Sequence, residues 1–162
     1  MSLIQNPIDH VRTCLTPFGV ADRIQELPVS TATVALAAEA LGCETGRIAK
    51  TLSFMANGIP VFLVASGDCR IDNRKYKQRF GCKAKMMTAE ELESLTGLHF
   101  GGVCPFGLPD AAEVYLDESL KAYEYVYPAC GTANSAIRLT LDELEKCSCA
   151  RGWVDVGKDA EG

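Results

Sequence analysis

A lysine inside an apolar run is the first feature of this sequence that could do chemistry. Lys50 stands in the segment RIAKTLSF, residues 47–54, at the start of a predicted strand. Burying an ammonium without a partner is costly, so this lysine either lies on the solvent side of a half-exposed strand or is held at the mouth of a pocket. In a pocket it could bind a phosphate or carbonyl oxygen, and desolvation could lower its pKa.

Two glycine-rich segments are the second such feature. The segment GGVCPFG, residues 101–107, has three glycines and a proline in seven residues, which predicts a loop rather than a regular element. Free backbone N–H groups in such a loop can form an oxyanion site, which would stabilise the tetrahedral intermediate of ester hydrolysis. An ordinary tight loop is the alternative. The segment GTANS, residues 131–135, is a second glycine turn, and its turn composition alone could explain it.

Common catalytic motifs are missing from the sequence. It contains no G-x-S-x-G, no H-E-x-x-H, no phosphate-binding G-x-x-x-x-G-K-[ST] and no G-x-G-x-x-G. A nucleophile with a histidine base would require Cys104 or a serine beside His99, and no spacing singles out that pair. Hydrolytic chemistry would therefore depend on backbone donors, a lysine and water.

Basic residues are concentrated in one segment of an acidic chain. The net charge is −5, yet seven of the sixteen lysines and arginines fall within residues 70–85, among them Arg70, Arg74, Lys75 and Lys77. Such a segment can follow a phosphate backbone even on an acidic protein. The alternative is an ordinary solvated helix face.

Eight cysteines are scattered through the chain without a C-x-x-C pair. No secretion signal is recognised and no run approaches the roughly 18 apolar residues of a membrane span, so we expect a cytosolic protein with free thiols. A redox or metal module, with Cys147 and Cys149 as the closest pair, is the weaker alternative. We expect neither a metal nor a cofactor.

Helix and strand signals alternate along the chain. Predicted helices follow Asn6-Pro7, cover 32–41 behind Ser30-Thr31, cover 72–80, follow the Thr88/Glu91 capping box and cover 141–146. Asn57-Gly58 predicts a hairpin between strands 48–55 and 60–65, and further strands are expected at 113–116, 124–127, 136–140 and 153–156. The interleaving predicts an α/β chain of the α+β type, with a mixed β-sheet flanked by helices. Residues 1–162 are expected to form a single domain.

Five segments together resemble one known family. They are TVALAAEALG (33–42), RIAKTLSF (47–54), GGVCPFG (101–107), YPACGTANSAIRLT (127–140) and WVDV (153–156). On these segments the chain resembles the YbaK/prolyl-tRNA-synthetase-associated editing domains from about residue 23 to residue 156. The pairing of I-x-K-T-L with G-G-V-x-P-F-G is the most specific part of this resemblance.

The resemblance implies hydrolysis of the ester that joins an amino acid to tRNA. In the family's usual account, water attacks the ester while backbone amides hold the oxyanion, and assistance by the terminal ribose hydroxyl belongs to the same account. The catalytic positions map onto Lys50, Gly101 and Gly102. The substrate-binding positions map onto Thr31, Val103, Pro105, Phe106, Gly131, Asn134 and Ser135. The basic residues Arg70, Arg74, Lys75 and Lys77 are then candidates for tRNA binding.

The amino acid and the partner stay open at this point. Some family members carry a histidine or an aspartate in the second loop, whereas residues 129–136 have neither. Cysteine, alanine, serine and threonine on a non-cognate tRNA are all candidates. The expected partner is the acceptor end of mischarged tRNA, with an aminoacyl-tRNA synthetase as a further candidate. The alternative function is a module that binds aminoacyl-tRNA or a synthetase without cleaving the ester.

Overall fold

The structure is a computed structural model that describes residues 6–159. Its central element is a mixed six-stranded sheet. The helices are α1 (Pro7–Leu15), α2 (Val34–Leu41), α3 (Asn73–Phe80), α4 (Ala89–Thr96) and α5 (Leu141–Ser148). The strands are β1 (Gln25–Glu26), β2 (Ile48–Ala56), β3 (Ile59–Ser66), β4 (Cys69–Ile71), β5 (Glu113–Asp117), β6 (Tyr125–Pro128), β7 (Ser135–Ala136), β8 (Leu139–Thr140), β9 (Gly152–Val154) and β10 (Gly157–Asp159).

The strand order in the main sheet is β8-β6-β2-β3-β5-β9, and two two-stranded pairs, β1-β7 and β10-β4, flank it. Pairs β2·β3 and β6·β8 are antiparallel, whereas β2·β6, β3·β5 and β5·β9 are parallel. The prediction of a mixed sheet with helices around it is therefore confirmed.

The central strand β3 separates two cores. Alternate side chains of a strand point to opposite faces, and Phe62 and Val64 pack with residues of α1, α4 and α5 in the larger cluster. Val61 and Leu63 instead pack in a second cluster that contains Tyr76 of α3. Burial of these two faces holds β2 and β3 in register.

Local signals correctly predicted a hairpin turn and the starts of several helices. Asn57 and Gly58 join β2 to β3 with φ angles of 51° and 81°, the left-handed conformations that a two-residue hairpin turn requires. Thr88 and Glu91 form the predicted capping box at α4. Asn6 and Asp72 cap α1 and α3 through their side chains.

Several predicted boundaries differ from the observed ones, and three of these differences have a clear physical cause. The predicted helix 32–41 begins only at Val34, because the Thr33 side chain, rather than Ser30 or Thr31, accepts the capping bond from Leu36. The predicted strand 136–140 is divided into β7 and β8, which pair with different partners. The predicted strand 153–156 ends at Val154, because the Val156 amide donates to the Asp117 carboxylate instead of to a neighbouring strand.

None of the described helices is long and apolar enough to cross a membrane.

Candidate active site

A cavity of about 260 Å³ opens beside the edge of β2 that faces away from β3. Strand β6 pairs with β2 only at Ile48 and Ala49. Farther along the same edge, the Met55 amide donates to the Lys85 carbonyl and the Met87 amide donates to the Ser53 carbonyl. The cavity fills the gap between these two pairings. Its other walls come from residues 31–34, helix α2, the loop at 100–103, Tyr127 and the start of β7.

Lys50 lines this cavity and is half-buried. Its Nζ donates to the backbone carbonyl of Cys69 and, at 3.5 Å, to that of Gly67, in the turn that leads into β4. Burial lowers the pKa of the Lys50 ammonium, while the nearby Cys69 thiol and Asp68 carboxylate act in the opposite direction. Carbonyl oxygens rather than a carboxylate hold the cation, so much of its charge remains available to an anionic or carbonyl ligand.

Gly101 is the glycine of the 101–107 loop that lies on the cavity wall. Its φ of +94° is a conformation that favours glycine, and a Cβ at this position would lie 3.1 Å from the Ala32 Cβ. The Gly101 amide has no hydrogen-bond acceptor among the residues that the structure describes. Gly101 thus combines a close approach to the 31–34 wall with an unused backbone donor.

Gly102 is placed differently from the prediction. Its amide donates to the His99 carbonyl at 3.0 Å, so this N–H is occupied within a turn. A Cβ on Gly102 would lie 2.9 Å from backbone atoms of Thr132, which shows that the 101–107 and 131–135 loops pack directly on each other. Of the two predicted oxyanion donors, the structure brings only Gly101 to the cavity wall.

The other residues of the first loop divide between cavity and core. Val103 lines the cavity. Pro105 is buried away from its lining, and Phe106 packs in the larger hydrophobic cluster with an exposed fraction of 1%. Cys104 is wholly buried, whereas His99 is exposed, so these two residues do not form a nucleophile–base pair. Burial also raises the pKa of the Cys104 thiol to about 12.

Ser135 organises the second loop. Its Oγ accepts hydrogen bonds from the Thr132 hydroxyl at 2.7 Å and from the amides of Thr132 and Cys130. Ser135 lines the cavity, but Gly131 packs against Pro7, and the exposed Asn134 donates through Nδ2 to the Leu27 carbonyl. Gly131 and Asn134 therefore shape the loop from outside the cavity.

Three hydroxyl groups on the cavity-lining residues have no partner. The Oγ1 atoms of Thr31 and Thr51 and the Oγ of Ser53 are buried and make no hydrogen bond to any described residue. Thr31 is 8% exposed and Ser53 is 1% exposed. Buried polar groups are nearly always paired, so three unpaired hydroxyls on residues that line one cavity make it a candidate site for a polar ligand. The sequence reasoning missed Thr51 and Ser53, although Thr51 directly follows Lys50.

The basic segment 70–85 lies outside the cavity lining. Arg70 is on β4, and Arg74, Lys75 and Lys77 are on α3, whose buried side chain Tyr76 packs against the sheet. Arg74 and Lys77 are exposed, whereas Lys75 is bound to Asp155 at 3.1 Å and to the Gly157 carbonyl at 2.9 Å. The charge of Lys75 is thus partly compensated.

The cysteines do not form a metal centre in the part of the chain that the structure describes. All eight are free thiols, and residues 6–159 contain no cluster of three or more His, Cys, Asp or Glu side chains that could hold a metal ion.

Comparison with known proteins identifies the family of this chain. The family model described as the aminoacyl-tRNA editing domain matches residues 28–147. A protein of Bacillus subtilis (strain 168) called YwhH is 50% identical over 152 residues, 93% of this chain and 97% of its own length. EbsC of Enterococcus faecalis (strain ATCC 700802 / V583), provisionally named a Cys-tRNA(Pro)/Cys-tRNA(Cys) deacylase, is 35% identical over 109 residues, 66% of each chain.

A solved structure shows the same fold over almost the whole chain. It is described as a provisionally assigned trans-editing enzyme for prolyl tRNA synthetase, with a TM-score of 0.85 and 34% identity. The match covers 95% of this chain and 98% of the other. This chain belongs to the family of aminoacyl-tRNA editing domains.

Proposed function

We propose that this chain is a trans-editing deacylase that hydrolyses the ester of mischarged aminoacyl-tRNA. The observation that carries the proposal is a cavity lined by Lys50, by Gly101, whose amide is unused, and by three residues with unpaired hydroxyls, in a chain of the editing family. A small polar ester would place its carbonyl and amine among these groups. We further propose that residues 1–162 act as one editing domain in the cytoplasm.

In the proposed reaction, water adds to the ester carbonyl carbon, and the bond from that carbon to the ribose oxygen breaks. The proton lost by water goes to the departing ribose oxygen, and the products are a free amino acid and tRNA with its hydroxyl restored. Lys50 and the Gly101 amide stabilise the negative charge on the carbonyl oxygen as the tetrahedral intermediate forms. No side chain is needed as the nucleophile.

The dimensions of the cavity favour small amino acids. Ala37 and Ala49 lie in its wall, and the volume of about 260 Å³ must also admit part of the terminal nucleotide. Cysteine, alanine, serine and threonine all satisfy this limit. EbsC is named for cysteinyl-tRNA, so Cys-tRNA(Pro) is the first substrate to test.

A second function is favoured by two particular contacts. The Lys50 ammonium is already bonded to backbone carbonyls, and the Gly102 amide is occupied by His99. These contacts leave fewer free donors than an oxyanion site with both glycines would offer. They favour a module that binds aminoacyl-tRNA or a synthetase without cleaving the ester.

Release of free amino acid from a panel of mischarged tRNAs tests the two functions. The panel pairs cysteine, alanine, serine and threonine with non-cognate tRNAs, and it compares the native protein with Lys50→Ala and Lys146→Ala. Lys146 is an exposed lysine on α5 and serves as the matched control. Release that falls about 100-fold in Lys50→Ala and not in Lys146→Ala supports the deacylase. Binding without release from any pairing would support the binding module.

A further inference from the structure

Arginine and tyrosine side chains stack in a row beside the cavity. We call Tyr123, Arg47, Tyr125 and Arg138 the arginine–tyrosine ladder. The Arg47 guanidinium carbon lies 5.1 Å from the centroid of the Tyr123 ring and 4.3 Å from that of Tyr125. The Arg138 guanidinium carbon lies 4.4 Å from the same Tyr125 centroid. One tyrosine ring thus contacts two arginines.

The ladder is continuous with the cavity wall. Tyr125 and Tyr127 are two residues apart on β6 and therefore project from the same face of the strand, whereas Val126 between them is buried in the core. The two tyrosine rings meet edge to face with centroids 5.9 Å apart. Tyr127 lines the cavity. A chain that leaves the cavity past Tyr127 would reach Tyr125 and its two arginines next.

The ladder is positively charged on a protein whose net charge is negative. Arg138 is exposed and forms no ion pair with a described residue. Arg47 pairs at 3.3 Å with Glu44, which is itself exposed, and also donates to the Tyr125 carbonyl at 3.3 Å. Two guanidinium groups within 4.4 Å of one ring centroid repel each other, and a bound anion would relieve that repulsion.

From this arrangement we propose that the arginine–tyrosine ladder binds the single-stranded 3′ end of tRNA immediately before the aminoacylated nucleotide. Guanidinium planes and aromatic rings stack with unpaired bases of any sequence, and arginines pair with phosphates in two-point contacts. Arg138 offers an exposed plane and an uncompensated charge, while Tyr125 holds that plane in place. The proposal rests on the proposed function, in which the cavity takes the ester at the end of that strand.

Binding of uncharged RNA tests the ladder separately from hydrolysis. The probes are uncharged tRNA and a short single-stranded RNA with the sequence of the tRNA 3′ end, measured by fluorescence anisotropy over a series of salt concentrations. The variants are Arg138→Gln, Arg138→Lys and Tyr125→Phe, and the matched control is Lys146→Gln. Melting temperatures of all variants show that each remains folded.

Arg138→Gln is expected to weaken binding of both RNAs by at least about fivefold and to lower the slope of log K against log salt by about 0.7, the value for one phosphate contact on a single strand. Arg138→Lys should keep the slope but bind more weakly, because an ammonium cannot stack. Tyr125→Phe keeps the ring and should change little, as should Lys146→Gln. Equal affinity and slope for Arg138→Gln, Lys146→Gln and the native protein would overturn the proposal, as would no binding of either RNA by the native protein.

The failure of the ladder and the failure of the deacylase are distinguishable. The probes carry no ester, so a protein that never hydrolyses aminoacyl-tRNA can still show the effect of Arg138→Gln on RNA binding. With a hydrolysed substrate, Arg138→Gln should raise KM several-fold and leave kcat near its native value. A fall in kcat at unchanged KM would contradict a binding role for the ladder.

Discussion

At the residue scale, the candidate site combines groups whose surroundings set them apart from others of their type. Lys50 is half-buried and bonded to backbone carbonyls, and burial lowers its pKa. Thr31, Thr51 and Ser53 carry buried hydroxyls without partners. Both features cost stability in the folded chain and are typical of a site whose groups are completed by a ligand.

The lowered pKa of Lys50 has a predictable effect on stability. Folded Lys50 loses its proton at a lower pH than it does in the unfolded chain, where the value is about 10.4. Between these two values the unfolded chain binds more protons, so the free energy of unfolding rises with pH there. At pH values below both pKa values Lys50 is charged in the folded and the unfolded chain, and the free-energy cost of burying that charge is fully present.

Urea unfolding of the native protein and of Lys50→Met, across the pH range below about 10.4, measures this effect. The native protein should gain stability relative to Lys50→Met as pH rises through the window. A difference that stays constant, or that changes in the opposite direction, would show that the Lys50 pKa is not lowered.

The unpaired hydroxyls give a second prediction at this scale. Ser53→Ala removes a buried oxygen that has no partner, so the free energy of unfolding should stay equal or rise by up to about 1 kcal/mol. Ser66→Ala is the matched control, because the buried Ser66 hydroxyl donates to the Gly46 carbonyl at 2.7 Å. Its loss should cost about 1 kcal/mol. Equal destabilisation by both changes in urea unfolding would mean that Ser53 has a partner.

At the element scale, two loops and one strand edge meet to form the site. Strand β2 carries Lys50, and the 101–107 loop carries Gly101. The 131–135 loop packs on the 101–107 loop through the contact of Gly102 with Thr132. Because the Gly102 and Thr132 backbones are in direct contact, a displacement of either loop also displaces the other. The spacing of the loops is therefore set by the absence of a side chain at Gly102.

Gly102→Ala should accordingly separate the two loops. Its Cβ would lie 2.9 Å from Thr132 backbone atoms, and we expect a loss of about 1–3 kcal/mol of stability together with most of the deacylase activity. Gly152→Ala is the control, since a Cβ there meets nothing within 4 Å and its φ is ordinary. Thermal unfolding and amino acid release measure both effects. Native activity in a stably folded Gly102→Ala would contradict a positioning role for this contact.

The same elements show what sequence could and could not predict. The β2–β3 hairpin and the α4 capping box were predicted because their signals lie within a few residues. The division of residues 136–140 into β7 and β8 was missed because β7 pairs with β1, which is distant in sequence, whereas β8 pairs with β6. A motif singled out Lys50 and Gly101, which line the cavity. The positions of Ser53 at the cavity and of Asn134 outside it depend on packing that no short motif records.

At the scale of the whole molecule, the proposed function requires an acidic protein to bind tRNA, which is a polyanion. With a net charge of −5, favourable contacts have to come from local groups of positive charge. The segment 70–85 is one such group and the arginine–tyrosine ladder is another. The proposed division is that the ladder binds the single-stranded end and the exposed residues of α3 contact phosphates farther along the tRNA.

Charge reversal on α3 tests the second part of that division. Arg74→Glu combined with Lys77→Glu should lower kcat/KM at low tRNA concentration by about tenfold or more, with the largest effect at low salt. Arg12→Glu combined with Lys146→Glu makes the same change in net charge at α1 and α5 and serves as the control. Equal losses in both double variants would indicate a general charge effect rather than a tRNA contact on α3.

Hydrolysis of the aminoacyl ester in the cavity around Lys50 is best tested by single-turnover deacylation. Enzyme in excess over Cys-tRNA(Pro), or over the best substrate of the panel, is mixed and quenched, and the free amino acid is counted for the native protein, Lys50→Ala and Lys146→Ala. We expect a rate well above that of the uncatalysed ester for the native protein and Lys146→Ala, and a rate reduced about 100-fold for Lys50→Ala. Equal rates for Lys50→Ala and the native protein, with melting temperatures unchanged, would contradict it.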